Sequence, residues 1–200
     1  ASETLGHQEV EKVIQKLSEI SVKVYFIPGN RDFLVGEQFA SRTGTKILKD
    51  PTIHEFFGVK FLLLHGDTLC TDDTRHQQFR STVNSAEWQM KFLEKSISER
   101  DLLAKSIRFR SDEKKRYKSS EIMDVNQNTV DALLSSTNVN FMIHGHTHRP
   151  RIHKWEINNE QFFRIVLGDW SNGPSWLSIS HTGMSLHHGQ NSEFISYEET

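Results

Sequence analysis

The sequence holds a single cysteine, Cys70, among 200 residues, so no disulfide can form within the chain. That usage suits a reducing compartment, most simply the cytosol. Long apolar runs are also missing: none approaches the ~20 residues a membrane-spanning helix needs. The opening ASETLGHQEV lacks the basic-then-apolar pattern of a signal peptide. It lacks an initiator Met as well, and the expectation is a chain that begins inside a longer one. A surplus of one charge is absent, since 24 Lys and Arg against 26 Asp and Glu leave -2. No global field therefore draws nucleic acid or an anionic surface, and any such attraction has to be local. No low-complexity tract or solenoid repeat is present. From Asp67 to Asn140 there is neither Gly nor Pro, which removes the usual punctuation of a strand-and-turn region.

What is present is globular: 36% apolar and 25% charged residues can build one core with a small insertion. Val10, Val13, Ile14, Leu17 and Ile20 recur at helical spacing and predict an amphipathic helix over about 7–20. Val22–Ile27 reads as a strand stopped by Pro28-Gly29, and a short helix over 35–43 ends at Gly44 as C-cap. Strands follow near 52–57 and at Val59–Leu64, joined by a turn at Gly58. Trp88, Phe92, Leu93, Ile97, Leu102, Leu103 and Ile107 lie at near-helical intervals, so 74–135 is expected to be a mainly helical insertion. The core is then 1–73 with 136–200, with further strands at Val139–Ile143, Phe162–Leu167, Trp176–Ile179 and Met184–Leu186. Helix, strand and helix in this order make an α/β layered domain.

The eleven histidines are the compositional oddity. Three apolar segments run directly into polar clusters: FIPGNRD at 26–32, LLLHGDT at 62–68 and FMIHGHTH at 141–148. Ligands of open α/β sheets bind at the carboxyl ends of strands, where loops hold side chains on a rigid edge. His146 and His148 in Gly145-His146-Thr147-His148, if extended, point to opposite sides and can address two metals or flank one. Singly, His65 reads as a satisfied core residue and Asn30 as a turn residue. As a set, imidazoles with an amide oxygen suit a borderline ion such as Mn²⁺, Fe²⁺, Ni²⁺ or Zn²⁺, and the lack of a Cys cluster argues against structural zinc. His144 reads as structural. Asp67 and Asp72 are candidate partners that orient imidazoles, and Asp169 earns no ligand role.

GNRD, HGD and GHTH resemble three of the five signature blocks of the calcineurin-like metallophosphoesterases. HGDTLCTDD (65–73), IMDVNQN (122–128), IHGHTHRP (143–150) and VLGDW (166–170) resemble the UDP-2,3-diacylglucosamine diphosphatase subgroup in particular. The resemblance runs from about residue 8 to the C-terminus. It implies a layered α/β/β/α sandwich with a helical lid insertion, and a pair of Mn²⁺ ions in the complete site. It places Asn30, His65 and His146 as ligands of the second metal and His148 as a ligand of the first. No catalytic residue is assigned beyond the metal centre. Substrate contacts are carried onto Asn30, Arg31, Asp73, Ser111, Lys115, Lys118 and His146. Lys115 falls where some members have an amide, and His76 stands where a Tyr is usual.

The implied activity is cleavage of the UDP-2,3-diacylglucosamine pyrophosphate to UMP and 2,3-diacylglucosamine 1-phosphate, a step of lipid A biosynthesis in Gram-negative bacteria. The enzyme is expected to be cytoplasmic and peripheral at the inner membrane, without nucleic acid or an obligate protein partner. The insertion's apolar residues and the six Lys and Arg of 108–118 suit acyl chains and phosphate; each also reads as ordinary packing or a solvated face. Two of the family's blocks, Asp-x-His and Gly-Asp, do not occur before Pro28-Gly29. The expectation is N-terminal truncation, and the 200 residues alone are expected to bind metal poorly and to be inactive. Another phosphoesterase substrate, or a non-catalytic lipid- or nucleotide-binding remnant, are the competing readings.

Overall fold

A computed structural model describes residues 5–115, 122–171 and 173–199. The chain folds as two compact units, Ala1–Leu48 with Asp72–Met123 and Lys49–Thr71 with Asp124–Thr200.

The first unit is helical. α1 (Leu5–Glu19) is followed by the two-residue strand β1 (Tyr25–Phe26), α2 (Glu37–Thr43) and β2 (Lys46–Ile47), which pairs with β1 in parallel. Gly44 takes the left-handed conformation (φ 72°) and its N–H closes α2 on the Ala40 carbonyl, the C-cap expected of glycine. Arg42 grips Glu11 through two hydrogen bonds of 3.0 and 2.7 Å, fastening α2 to α1. The strand expected over 22–27 shrinks to two residues, because β1 has only the short β2 beside it among the described residues.

α3 (Thr74–Val83), α4 (Ala86–Leu93) and α5 (Ile97–Lys115) complete this unit. Each begins at a polar cap: Asp73 accepts from the His76 N–H, Ser85 from the Trp88 N–H. At α5, Ser96 and Glu99 bond reciprocally to each other's backbone. Caps satisfy orphan amides that the first turn leaves unpaired. Trp88 stacks on Phe92 at 4.9 Å and meets Phe33 at 5.9 Å.

The second unit is a layered α/β structure. β3 (Thr52–Phe56), β4 (Val59–Leu64), β5 (Phe141–His144), β6 (Arg151–Ile157) and β7 (Glu160–Val166) form one sheet in the order β3-β4-β5-β7-β6. β4, β5 and β7 are parallel and the two edges antiparallel. β8 (Ser175–Ile179), β9 (Gly183–His188) and β10 (Asn191–Ser196) make a three-stranded antiparallel sheet in the order β10-β9-β8. Phe61, Phe141, Ile143, Ile152, Phe163 and Ile165 of the larger sheet pack against Met184 and Leu186 of the smaller. On the other face Leu62, Leu64, Met142 and Phe162 bury Val130 and Leu134 of α6 (Gln127–Thr137). The stack is helix, sheet, sheet. α6 lies within the sequence range expected for the insertion, yet its apolar side chains are core of this second unit.

β6 and β10 were not expected from the sequence. β10 is a wholly paired edge strand whose residues are mostly exposed, with Ile195 alone among its apolar side chains packed on the core, too little of a pattern to announce it. β6 interrupts the alternation with His153-Lys154.

Candidate functional site

The register Leu64↔His144 places the ends of β4 and β5 side by side. The ladder continues one step past the strands, since the Gly145 N–H donates to the His65 carbonyl at 3.0 Å. Two of the expected clusters, HGD and GHTH, are thereby neighbours on one sheet edge. Both His65 and His146 are half-buried, and His65 Nε2 approaches His146 Nδ1 to 3.3 Å with the rings edge to face.

The Gly145–His148 segment is not extended. His146 and His148 both adopt positive φ, 63° and 55°, and the Thr147 N–H folds back onto the Gly145 carbonyl at 2.7 Å. The alternation expected of an extended tetrapeptide fails because no ladder partner holds the chain beyond this point. Left-handed backbone at a non-glycine costs on the order of 1–3 kcal/mol and persists where surrounding contacts impose it. Here those contacts are the turn and the adjoining ladder.

The two ligand candidates of this turn separate. His146 meets His65, whereas the exposed His148 sets Nδ1 3.1 Å from Asp169 Oδ2. Ser171 holds the Asp169 carboxyl below its usual range through its hydroxyl, helped by its N–H and by His148. Asp169 went unassigned from the sequence, although Gly168-Asp169 leaves β7 much as Gly66-Asp67 leaves β4.

Behind the turn lies a polar group formed by Asp124, His144, Arg149 and Arg164. Arg149 pairs with Asp124, the aspartate of IMDVNQN. Burial pushes the Asp124 carboxyl up, but the Val125 N–H and Arg149 outweigh it and hold it low. His144, read as structural, is 1% exposed and accordingly bonded: Nδ1 to the Gly145 carbonyl at 2.8 Å, Nε2 to Arg164 Nη1 at 3.1 Å. Burial drives its imidazole down to about 4. The signal for Arg164 was available as a lone charge inside the apolar run FFRIVL. The Asp50 carboxylate accepts the His65 N–H at 3.3 Å.

Asn30 and Arg31 belong to the first unit, in the turn after β1, where the Gly29 N–H donates to the Asp32 carboxylate. Asn30 is half-buried and Arg31 exposed. Asp73 is the cap of α3, and Ser111 is an exposed residue of α5. Lys118 and the Lys115 side chain lie outside the described residues. Among the described residues, no group of three His, Cys, Asp or Glu side chains is placed to hold a metal ion.

The imidazoles nevertheless fit a divalent ion. Two nitrogens each ~2.1 Å from one tetrahedral ion stand about 3.4 Å apart, close to the 3.3 Å between His65 Nε2 and His146 Nδ1. His148 shows the complementary feature: a ligating His commonly gives its other N–H to a carboxylate, here Asp169. With the Nδ1 proton held there, the lone pair is on Nε2.

The parallel strands β4 and β5 thus bring two imidazoles together at their carboxyl ends, and the family model described as calcineurin-like phosphoesterase matches residues 5–150. The chain belongs to that family. It is 41% identical to a UDP-2,3-diacylglucosamine hydrolase of Serratia proteamaculans over 90% of this chain and 75% of the relative. A protein of that name from Chromohalobacter salexigens is 41% identical over 84% of this chain and 69% of its own. One from Escherichia coli is 40% identical over 91% and 76%. The chain is therefore an enzyme of the phosphoesterase class, and its family implies a divalent metal. Among solved structures, Vps29 from Entamoeba histolytica is similar at a TM-score of 0.38 and 11% identity over 95% of this chain and 89% of that one.

Proposed function

We propose that the protein hydrolyses the pyrophosphate of UDP-2,3-diacylglucosamine to UMP and 2,3-diacylglucosamine 1-phosphate in lipid A biosynthesis. The observation that carries the chemistry is the His65–His146 pair at 3.3 Å on adjoining parallel strand ends. The substrate is supported by the names of the relatives at 40–41% identity.

Divalent ions held there would supply a water of lowered pKa and neutralise charge developing at phosphorus. The side chains hold and orient. His65 and His146 present two nitrogens to one position, Asp169 keeps the Nδ1 proton of His148, and the β4–β5 ladder fixes the loops from which they project. Mn²⁺, two ions per complete site, and Asn30 as a further ligand are part of this proposal through the family resemblance. Water oxygen bonds to the α-phosphorus as the bond to the bridging oxygen breaks, that oxygen leaves with the acylated sugar phosphate, and the water's proton passes to solvent. Arg31, Asp73, Ser111, Lys115 and Lys118 are the proposed substrate contacts, with Arg31 suited to paired phosphate contacts.

Exposed apolar side chains on α4 and α5, among them Met90, Leu93, Leu102 and Phe109, support an acylated substrate and peripheral attachment at the cytoplasmic face of a Gram-negative inner membrane. No helix among the described residues is long and apolar enough to cross a membrane. The test is UMP release by the native protein with Mn²⁺, before and after chelation. His65→Ala and His146→Ala are each expected to lower the rate more than about 100-fold, since loss of outer partners alone costs 10–100-fold. Activity retained in either variant sinks the assignment, and preference for a simple diester redirects it to another substrate.

A further inference from the structure

A guanidinium is an expensive side chain to bury, and Arg164 is 5% exposed in the interior of the larger sheet. Its neighbours along β7, Phe162, Phe163, Ile165 and Val166, are all buried and apolar, as a central strand requires. Its partners across the sheet are Met142 on β5 and His153 on β6. Sheet stability alone gives no reason for a charge there.

Hydrogen-bonding capacity does. Arginine only donates and a carbonyl oxygen only accepts. His144 lies between the two, with Nε2 3.1 Å from Arg164 Nη1 and Nδ1 2.8 Å from the Gly145 carbonyl. Only the neutral imidazole with its proton on Nδ1 satisfies both contacts. The other tautomer sets lone pair against lone pair at Nδ1 and N–H against N–H at Nε2, and the imidazolium keeps the second conflict.

His144 in turn touches both loops of the candidate metal site. The Gly145 carbonyl that it binds also receives the Thr147 N–H at 2.7 Å, the contact that closes the turn around His146. The ring lies against Gly66, next to His65: a Cβ on Gly66 would stand 2.7 Å from His144 Nδ1. The His144 carbonyl accepts the Leu167 N–H at 2.7 Å, so the ring's own strand is pinned to the exit of β7.

We propose that Arg164 is a positioning residue, which locks His144 in its Nδ1–H tautomer and through it holds His65 and His146 in register for a divalent ion. This rests on the reading of those two imidazoles as ligands. It adds a residue that touches neither metal nor substrate.

The test uses the native protein with ¹⁵N-labelled histidines. Long-range ¹H–¹⁵N spectra of the metal-free protein near neutral pH are expected to show His144 as the Nδ1–H tautomer. An Nε2–H or doubly protonated ring overturns the proposal outright. Arg164→Met, which keeps an unbranched apolar stem and loses every donor, is expected to release the tautomer and to weaken Mn²⁺ binding about 10–100-fold, the usual cost of losing an outer partner. Arg164→Lys, still a donor-only cation, is expected to retain the Nδ1–H form and to recover most of the affinity. Unchanged Mn²⁺ affinity in Arg164→Met contradicts the role. If that variant does not fold, the wild-type spectrum and Arg164→Lys decide, and an Nε2–H ring in the Lys variant is equally contrary. Failure of the wild type to hydrolyse the proposed substrate would strike the function and leave the tautomer standing, so the two are separable.

Discussion

The second unit buries a large apolar core while leaving Ile53, Phe57, Trp170, Trp176 and Phe194 at its surface, and the first shows many of its apolar side chains along its helices. In the second, Phe61, Met142, Leu134, Ile165 and Leu186 are all but inaccessible, and His65 carries the hydrogen-bonded ladder one step on to Gly145, beside His146. In the first, Val10 and Val13 of α1, Ile20 just after it, and Met90, Leu93, Leu102 and Phe109 of α4 and α5 are exposed. Catalytic geometry needs side chains held to within about 0.5 Å, which a close-packed sheet edge provides. Acyl chains or a membrane surface need apolar area left uncovered. One region is built for placement and the other for contact.

The contrast breaks first at the core. Leu134→Ala is expected to destabilise the second unit by about 2–5 kcal/mol in urea unfolding, as buried Leu truncations do. A cost below 1 kcal/mol would mean that the packing is looser than described. Gly66→Ala tests the edge itself. Its backbone at φ 112° disfavours any side chain, and the new Cβ would meet His144. The expected loss is about 2–4 kcal/mol from strain and overpacking together, with Mn²⁺ binding impaired. Wild-type stability and metal affinity there would refute the close approach.

A pH profile sharpens the comparison further. Burial, then Arg164 and Arg151, pull the His153 imidazole down to about 4, with Asp124 opposing. The folded protein thus prefers neutral His153, and the unfolded chain binds the extra proton. This contribution to stability is complete above the ordinary His value near 6.5 and is lost as pH falls from there toward 4. His153→Gln is expected to flatten the acid limb of stability against pH; an unaltered limb would show that this group is not what titrates. Asp169→Asn should be milder, weakening Mn²⁺ binding by at most about fivefold, because solvent screens an exposed pair. Leu102→Ser is expected to alter stability within about 0.5 kcal/mol while lowering affinity for anionic vesicles. A large loss of stability instead would place Leu102 in a core.

Much of this was legible in the sequence because local chemistry decided it. Val59–Leu64 was bounded correctly, since its apolar run is closed by Gly58 and His65. The α2 C-cap at Gly44 needed only glycine's left-handed freedom. The strand-end clusters at 62–68 and 141–148 were readable because buried parallel strands are continuously apolar and stop where polar loops begin. Features set by distant pairing were not. His148 meets Asp169 across the turn that follows β7, and the left-handed backbone at His146 depends on where the ladder ends. Edge strand β10 owes its existence to β9 rather than to an apolar pattern of its own. Arg164 left a trace as one charge in an apolar strand, but its partner, His144, became visible only once β5 and β7 lay side by side.

The most direct measurement is the anomalous-scattering position of Mn²⁺ soaked into crystals of the native protein. An ion about 2 Å from both His65 Nε2 and His146 Nδ1 is the expected result. An ion bound elsewhere, with those two nitrogens still in contact with each other, would contradict the site.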